Sequence, residues 1–236
     1  MDVELLNQRV VAVDGGTATG KGRLIEELAQ LMRLKGVPVI HASTGSIYRA
    51  VAVAALEASR HDMVKVRKLT PKRLLEMAAK RQVAMHGGKV WMDGAPVDVD
   101  EVLKGPGVGM AASVVSSVIE VRHLISDITR RQINEFDGFA LIDGRDIGHK
   151  VVPDAPLKLL LTVAPEVAAT RSREHTMDEI IARDERDRAK KYGELKHPDD
   201  PGEGVIVLPT DAHTPESVRD HVYELMRETF PGLPEL

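Results

Sequence analysis

The chain has 236 residues, of which 43% are hydrophobic and 29% charged, and 32 Lys+Arg against 36 Asp+Glu leave a net charge of -4. This composition excludes a disordered chain, and the near-balance of charge excludes a general attraction to nucleic acid or anionic membrane, so any anion binding has to be local. Zero cysteines remove disulfides and thiolate chemistry, and 3% aromatic residues leave too few platforms for stacking bases.

The amino terminus, MDVELLNQRVVAV, has early acidic residues and too short an apolar run for a signal peptide or a membrane span, so a cytoplasmic enzyme is expected. Apolar residues 10–13, closed by Asp14 and two glycines, predict a short buried strand. Leu24, Ile25, Leu28, Leu31 and Met32 then recur at helical spacing, with Gly36 where a carboxyl-terminal cap belongs. Residues 37–40 predict a second strand and 46–58 a helix. Thr70-Pro71 starts another helix, and 90–92 turns at Asp93-Gly94 into 95–97, a hairpin. Gly105, Pro106, Gly107 and Gly109 interrupt the chain before a long helical pattern over about 115–134. Apolar runs at 139–142, 157–163 and 205–208 follow, with helix-like stretches between the first two and after the second. Strands alternating with helices imply an α/β fold with a parallel five-stranded sheet and right-handed crossovers.

The strongest motif is Gly15-Gly16-Thr17-Ala18-Thr19-Gly20-Lys21, a G-x-x-x-x-G-K pattern set between a strand and an amphipathic helix. Its glycines let successive backbone N–H groups turn toward phosphate oxygens, and the helix dipole adds positive potential. Lys21 is the candidate catalytic lysine that reaches the β- and γ-phosphates of ATP. Gly22 stands where the motif usually carries a Mg²⁺-ligating hydroxyl, and Arg23 follows it. The Arg23 guanidinium either contacts an α-phosphate or is a solvated residue of the first helical turn. Asp143 closes an apolar strand, where it either holds Mg²⁺ through water or caps a helix; the carboxyl edge of the sheet favours the metal role.

Ser43-Thr44-Gly45-Ser46-Ile47-Tyr48-Arg49 follows the second strand, and Ile142-Asp143-Gly144-Arg145-Asp146 ends the third. With Gly20-Lys21-Gly22, and with Ala111-Ala112-Ser113, Val121-Arg122, Arg131-Gln132, Pro153-Asp154-Ala155-Pro156 and Arg183 to Arg188 in order, the chain resembles the cytidylate kinase family. The family's patterns are D-S-G-x-x-Y-R and D-G-R-D; Ser43 replaces the first aspartate. The resemblance implies a P-loop NTPase-type core at 1–62 and 111–236, a short helical lid at about 171–195, and an inserted lobe at 63–110 that binds the nucleoside monophosphate. It further implies transfer of the γ-phosphoryl group of ATP to CMP or dCMP, with Mg²⁺.

The acceptor monophosphate carries about two negative charges, which arginines can clamp without losing their own. The resemblance assigns Thr44, Tyr48, Arg49, Arg122, Arg145, Asp146, Asp187 and Lys190 to the acceptor, and Arg183 and Arg188 to the transferring phosphoryl group. Arg183, Asp187 and Lys190 fall at i, i+4 and i+7, one face of a helix, and Lys190 stands where the family has arginine. The partners expected are ATP and a pyrimidine monophosphate, with no nucleic acid and no membrane, bound by a monomer. Two alternatives remain: a kinase for AMP or UMP, and a catalytically weak nucleotide-binding regulator on the same scaffold.

Overall fold

The structure, a computed structural model, describes residue 4, residues 6–172 and residues 176–236, and their side chains except at 99 and 100. In chain order the elements are β1 (Val10–Gly15), α1 (Lys21–Leu34), β2 (Val39–Ser43), α2 (Thr44–Ala58), α3 (Met63–Val66), α4 (Pro71–Lys80), β3 (Ala84–His86), β4 (Lys89–Met92) and β5 (Ala95–Pro96). They continue with α5 (Val108–Val115), α6 (Ile119–Glu135), β6 (Phe139–Gly144), β7 (Leu157–Thr162), α7 (Pro165–Arg171), α8 (Met177–Arg188), β8 (Val205–Pro209) and α9 (Pro215–Thr229). Two π-helical turns, Val99–Leu103 and Ile147–Val151, complete them. The described residues form two compact units, one of residues 42–135 with residue 4, the other of 6–41, 136–172 and 176–236.

The second unit carries a five-stranded sheet in the order β2-β6-β1-β7-β8. β1 runs parallel to both β6 and β7, and β7 parallel to β8. This is the P-loop NTPase-type α/β sheet. Side chains alternate across it: Val11, Val13, Leu141, Leu157, Leu159 and Leu161 share one core with Leu24, Ile25, Leu28 and Met32 of α1 and with Val222, Tyr223 and Met226 of α9. A strand buried on both faces needs apolar residues at every position, which is why 10–13 is apolar throughout. α1 ends as its sequence predicts, with Gly36 at φ 73° just past the last turn. α8 differs from α1: only Ile180 and Asp187 are buried, so a Thr176–Glu179 capping box and polar ties hold it rather than an apolar face. Of the expected lid span 171–195, residues 173–175 lie outside the described residues.

The first unit is built on α2, whose Ile47, Val51, Val53, Leu56 and four alanines are buried around its whole circumference. Such a helix has to be enclosed, and α4, α5, α6 and β4 pack against it. α4 begins at Pro71 under an N-cap from Thr70 Oγ1, and β4 pairs antiparallel with β3 and with β5 across the Asp93-Gly94 turn. The helical pattern over 115–134 is corrected: one helix ends at Val115 and another begins at Ile119. The hydroxyls of Ser116 and Ser117 both donate to the Ser113 carbonyl, and Arg122 Nη1 donates to the Ser116 carbonyl at 2.7 Å. Side chains thus take over the acceptors that a continuing helix would use. The helix-like stretch between β6 and β7 is likewise a single π-helical turn. Among the described residues no single helix is long and apolar enough to cross a membrane.

Candidate active site

The loop from Gly15 to Gly20 joins the carboxyl end of β1 to the amino end of α1. Gly20 sits at φ 91° and Ala18 at φ 56°, left-handed conformations that fold the backbone back on itself. Lys21, the first residue of α1, is buried, and its Nζ donates to the Gly15 carbonyl at 2.8 Å, the Gly16 carbonyl at 2.6 Å and Thr19 Oγ1 at 3.1 Å. Burial, reinforced by the nearby charge of Arg145, lowers its pKa to about 7, while Asp143, Asp184 and Asp14 oppose that shift. The lysine is therefore held against its own loop by oxygens that phosphate oxygens can replace. Thr210, just past β8, donates from its hydroxyl to the Thr19 carbonyl, and Arg171 donates to the Thr210 hydroxyl and carbonyl.

Arg145 lies against the same loop. Its Nη1 donates to the carbonyls of Gly15 at 2.5 Å and Gly16 at 3.1 Å, its Nη2 to Thr17 Oγ1 at 3.3 Å, and its Nε to Asp187 Oδ2 at 2.9 Å. Lys190 Nζ donates to the other oxygen of Asp187 at 2.7 Å. Burial alone would raise the Asp187 pKa, but the charges of Arg145 and Lys190 hold it below the usual carboxylate value. α8 stops at Arg188, so Lys190 lies past the helix rather than on its face, yet it still reaches Asp187. Arg183 is half-buried on α8 and Arg188 is exposed at its last residue.

Asp14 is buried at the end of β1 and accepts the backbone N–H groups of Ile147 at 2.7 Å and Gly148 at 2.8 Å. It thereby holds the turn that follows Gly144-Arg145-Asp146, whose own N-cap residue is the buried Asp146. Burial pushes the Asp14 pKa up from 3.8 to about 7 against these two bonds. A carboxyl that binds its proton more tightly when folded adds stability in full below its unfolded value, and that stability is lost as pH rises through about 7. The loss amounts to about 4 kcal/mol. Lys21 acts over a different window, its destabilising effect fading from about pH 7 to 10.5. Thermal melts of Asp14→Asn are accordingly expected to lack most of the wild-type decline between pH 4 and 7; parallel curves for the two proteins would refute this.

Asp143 occupies the carboxyl end of β6, where its Oδ1 meets His41 Nε2 at 2.9 Å. The N-cap of the next turn is Asp146, so Asp143 does not serve as a helix cap. Its carboxylate is near enough to Lys21 to raise the lysine's pKa, which puts a hard oxygen donor beside the cradle. Among the described residues no group of three or more His, Cys, Asp or Glu side chains could hold a metal alone. That donor set fits Mg²⁺ in the form such sites use, one carboxylate with waters and substrate phosphates completing the shell. Arg23 Nε donates to Glu27 Oε1 at 2.7 Å and its Nη2 approaches Glu216 at 3.5 Å, which raises its pKa, chiefly through Glu27. It is a surface residue of the first helical turn in this arrangement.

In the first unit, Thr44 is buried as the first residue of α2, with Tyr48 and Arg49 one turn on. Tyr48 is buried beneath the Arg122 guanidinium, 5.6 Å from the ring centroid. A cation held over an aromatic face keeps its charge while its fork stays oriented.

A glycine-rich strand-to-helix loop, a buried lysine turned into it and a strand-end carboxylate on a parallel sheet define a phosphate-handling protein of the P-loop NTPase type. Residues 11–228 match the family model described as cytidylate kinase, and the chain belongs to that family, a family of transferases. It is 31% identical to a cytidylate kinase of Caldanaerobacter subterraneus over 94% of this chain and 96% of the relative. It is 36% identical to one of a Methylobacterium species, over 81% and 85%, and 32% identical to one of Thermotoga neapolitana, over 92% and 96%.

Proposed function

We propose that this chain transfers the γ-phosphoryl group of ATP to CMP or dCMP by direct in-line displacement, as a cytoplasmic monomer with neither nucleic acid nor membrane as partner. The observation that carries the reading is the cradle itself, Lys21 Nζ within 3.1 Å of three loop oxygens at the amino end of α1.

Phosphoryl transfer needs position and charge neutralisation more than covalent chemistry. The amides of residues 15–22 and Lys21 bind and orient the donor phosphates, and Arg183 and Arg188 bring charge to the transferring group. Thr44, Tyr48, Arg49 and Arg122 hold the acceptor, whose phosphate the guanidiniums grip in their planar forks. Arg145, Asp146, Asp187 and Lys190 complete the acceptor set, with Asp187 keeping the Arg145 guanidinium oriented. Asp143 would hold Mg²⁺, which when bound neutralises phosphate charge.

Turnover across CMP, dCMP, UMP, AMP and TMP in a coupled ADP-release assay tests the reading. CMP and dCMP are expected to lead. A preference for AMP would move the chain to another acceptor, and ATP binding without ADP release from any acceptor would make it a regulator.

A further inference from the structure

The amide nitrogen of Thr17 is a donor of the phosphate cradle, and it is taken by another anion. Asp184, on α8, accepts from the Thr17 N–H at 2.9 Å through Oδ1 and 3.2 Å through Oδ2, and its Oδ1 also accepts from the Thr17 hydroxyl at 2.8 Å. The approach is close enough to constrain its neighbour: a Cβ on Gly16 would lie 2.2 Å from Asp184 Oδ2. Glycine at 16 is what allows the carboxylate this depth. Its charge is also felt at Lys21, whose pKa it raises. An oxyanion bound to a loop amide, a loop hydroxyl and the field of the cradle lysine makes the kinds of contact a phosphate oxygen makes there.

We propose that the Asp184 carboxylate is an intramolecular occupant of the donor-phosphate cradle, which the phosphates of ATP displace on binding. A phosphate and a carboxylate cannot share the Thr17 donors, because each is anionic and like charges at hydrogen-bond separation repel strongly where water is sparse. Displacement is feasible because α8 has little apolar burial to hold it, so a side-chain swing or a local lift of the helix releases the carboxylate. Asp187, one turn further on the same face, stays tied to Arg145 and Lys190. Donor affinity is thus the difference between two anions competing for one set of donors, and Asp184 sets the lower limit of occupancy at which ATP takes over.

The proposal rests on the P-loop binding the donor phosphates, and the test separates the two. Calorimetric titration of ATP and, separately, CMP into wild type, Asp184→Asn and Asp184→Ala is the experiment, with cooperative melting as the check of folding. The neutral amide forfeits the charge-assisted part of the contact, so the Kd for ATP is expected to fall about tenfold in Asp184→Asn. Asp184→Ala, which removes both acceptors, tightens ATP at least as much, and the Kd for CMP is unchanged in both. ATP binding that is unchanged or weaker in the folded variants overturns the proposal, as does an equal change for CMP, which a merely structural tie would produce. Lys21→Met is the reference: if it binds ATP as wild type does, the placement of the phosphates in this loop fails instead.

Discussion

Replacing Lys21 with methionine is expected to lower turnover with CMP by at least about a hundredfold, the scale on which removing one preorganised electrostatic contact acts. The fold should survive. Lys21 is a buried cation whose pKa is lowered to about 7, mainly by burial, so the folded chain bears a cost for keeping it charged at neutral pH. Methionine has similar length and no charge, and the three oxygens it abandons keep other partners: Arg145 donates to the carbonyls of Gly15 and Gly16, and the Thr19 hydroxyl donates to the Gly16 carbonyl. Thermal stability should therefore equal or exceed that of the wild type at pH 7. Near-normal turnover in a cooperatively melting variant would refute the role given to this lysine. The wild type is also expected to bind ATP with more proton uptake near pH 8 than Lys21→Met, because incoming phosphates recharge an amine that is mostly neutral one unit above its pKa of about 7. Calorimetry in buffers of different ionisation enthalpy reads that difference.

Arg145→Lys is the second large effect, a fall of about a hundredfold in kcat/KM. The guanidinium uses its separate nitrogens on the Gly15 and Gly16 carbonyls, the Thr17 hydroxyl and Asp187, and a single ammonium cannot reproduce that planar fork. A lysine there satisfies the loop carbonyls or Asp187, and either choice leaves the loop and α8 without their shared cation. Steady-state kinetics with both substrates varied is the measurement. A lysine variant with wild-type kcat/KM would mean that a point charge suffices and that the bridge between the loop and α8 does no more than that.

How far the sequence discloses this molecule depends on how local each feature is. β1, α1 and the loop between them are legible because a 10–13 apolar run, a G-x-x-x-x-G-K pattern and a 3.6-residue periodicity sit next to one another in the chain. The five parallel strands are legible for the same reason, each being a short apolar run between turns. The break between α5 and α6 is not, since serine at 113, 116 and 117 is compatible with a helix until its hydroxyls turn back on the Ser113 carbonyl. His41 gave no signal either: its partner Asp143 lies 102 residues away. Asp184 belongs to a segment so dense in both charges that its one partner of consequence, Thr17 at a separation of 167, cannot be picked out by spacing. Asp14 reads as the polar end of a strand, and only the folded chain shows it gripping the turn after Arg145.

The strand order has a consequence for how the chain is made. β1 lies in the middle of its sheet, yet its partners are β6 and β7, and Val10 pairs with Ala140, roughly 130 residues later. A chain emerging from its amino terminus therefore presents the four buried residues of 10–13 long before either neighbour exists. Residues 42–135, whose helices and hairpin find partners within their own span, come in between and are suited to fold first. The apolar first strand has to be kept from other chains until β6 and β7 arrive, so truncation before residue 162 should yield aggregation rather than a smaller soluble enzyme.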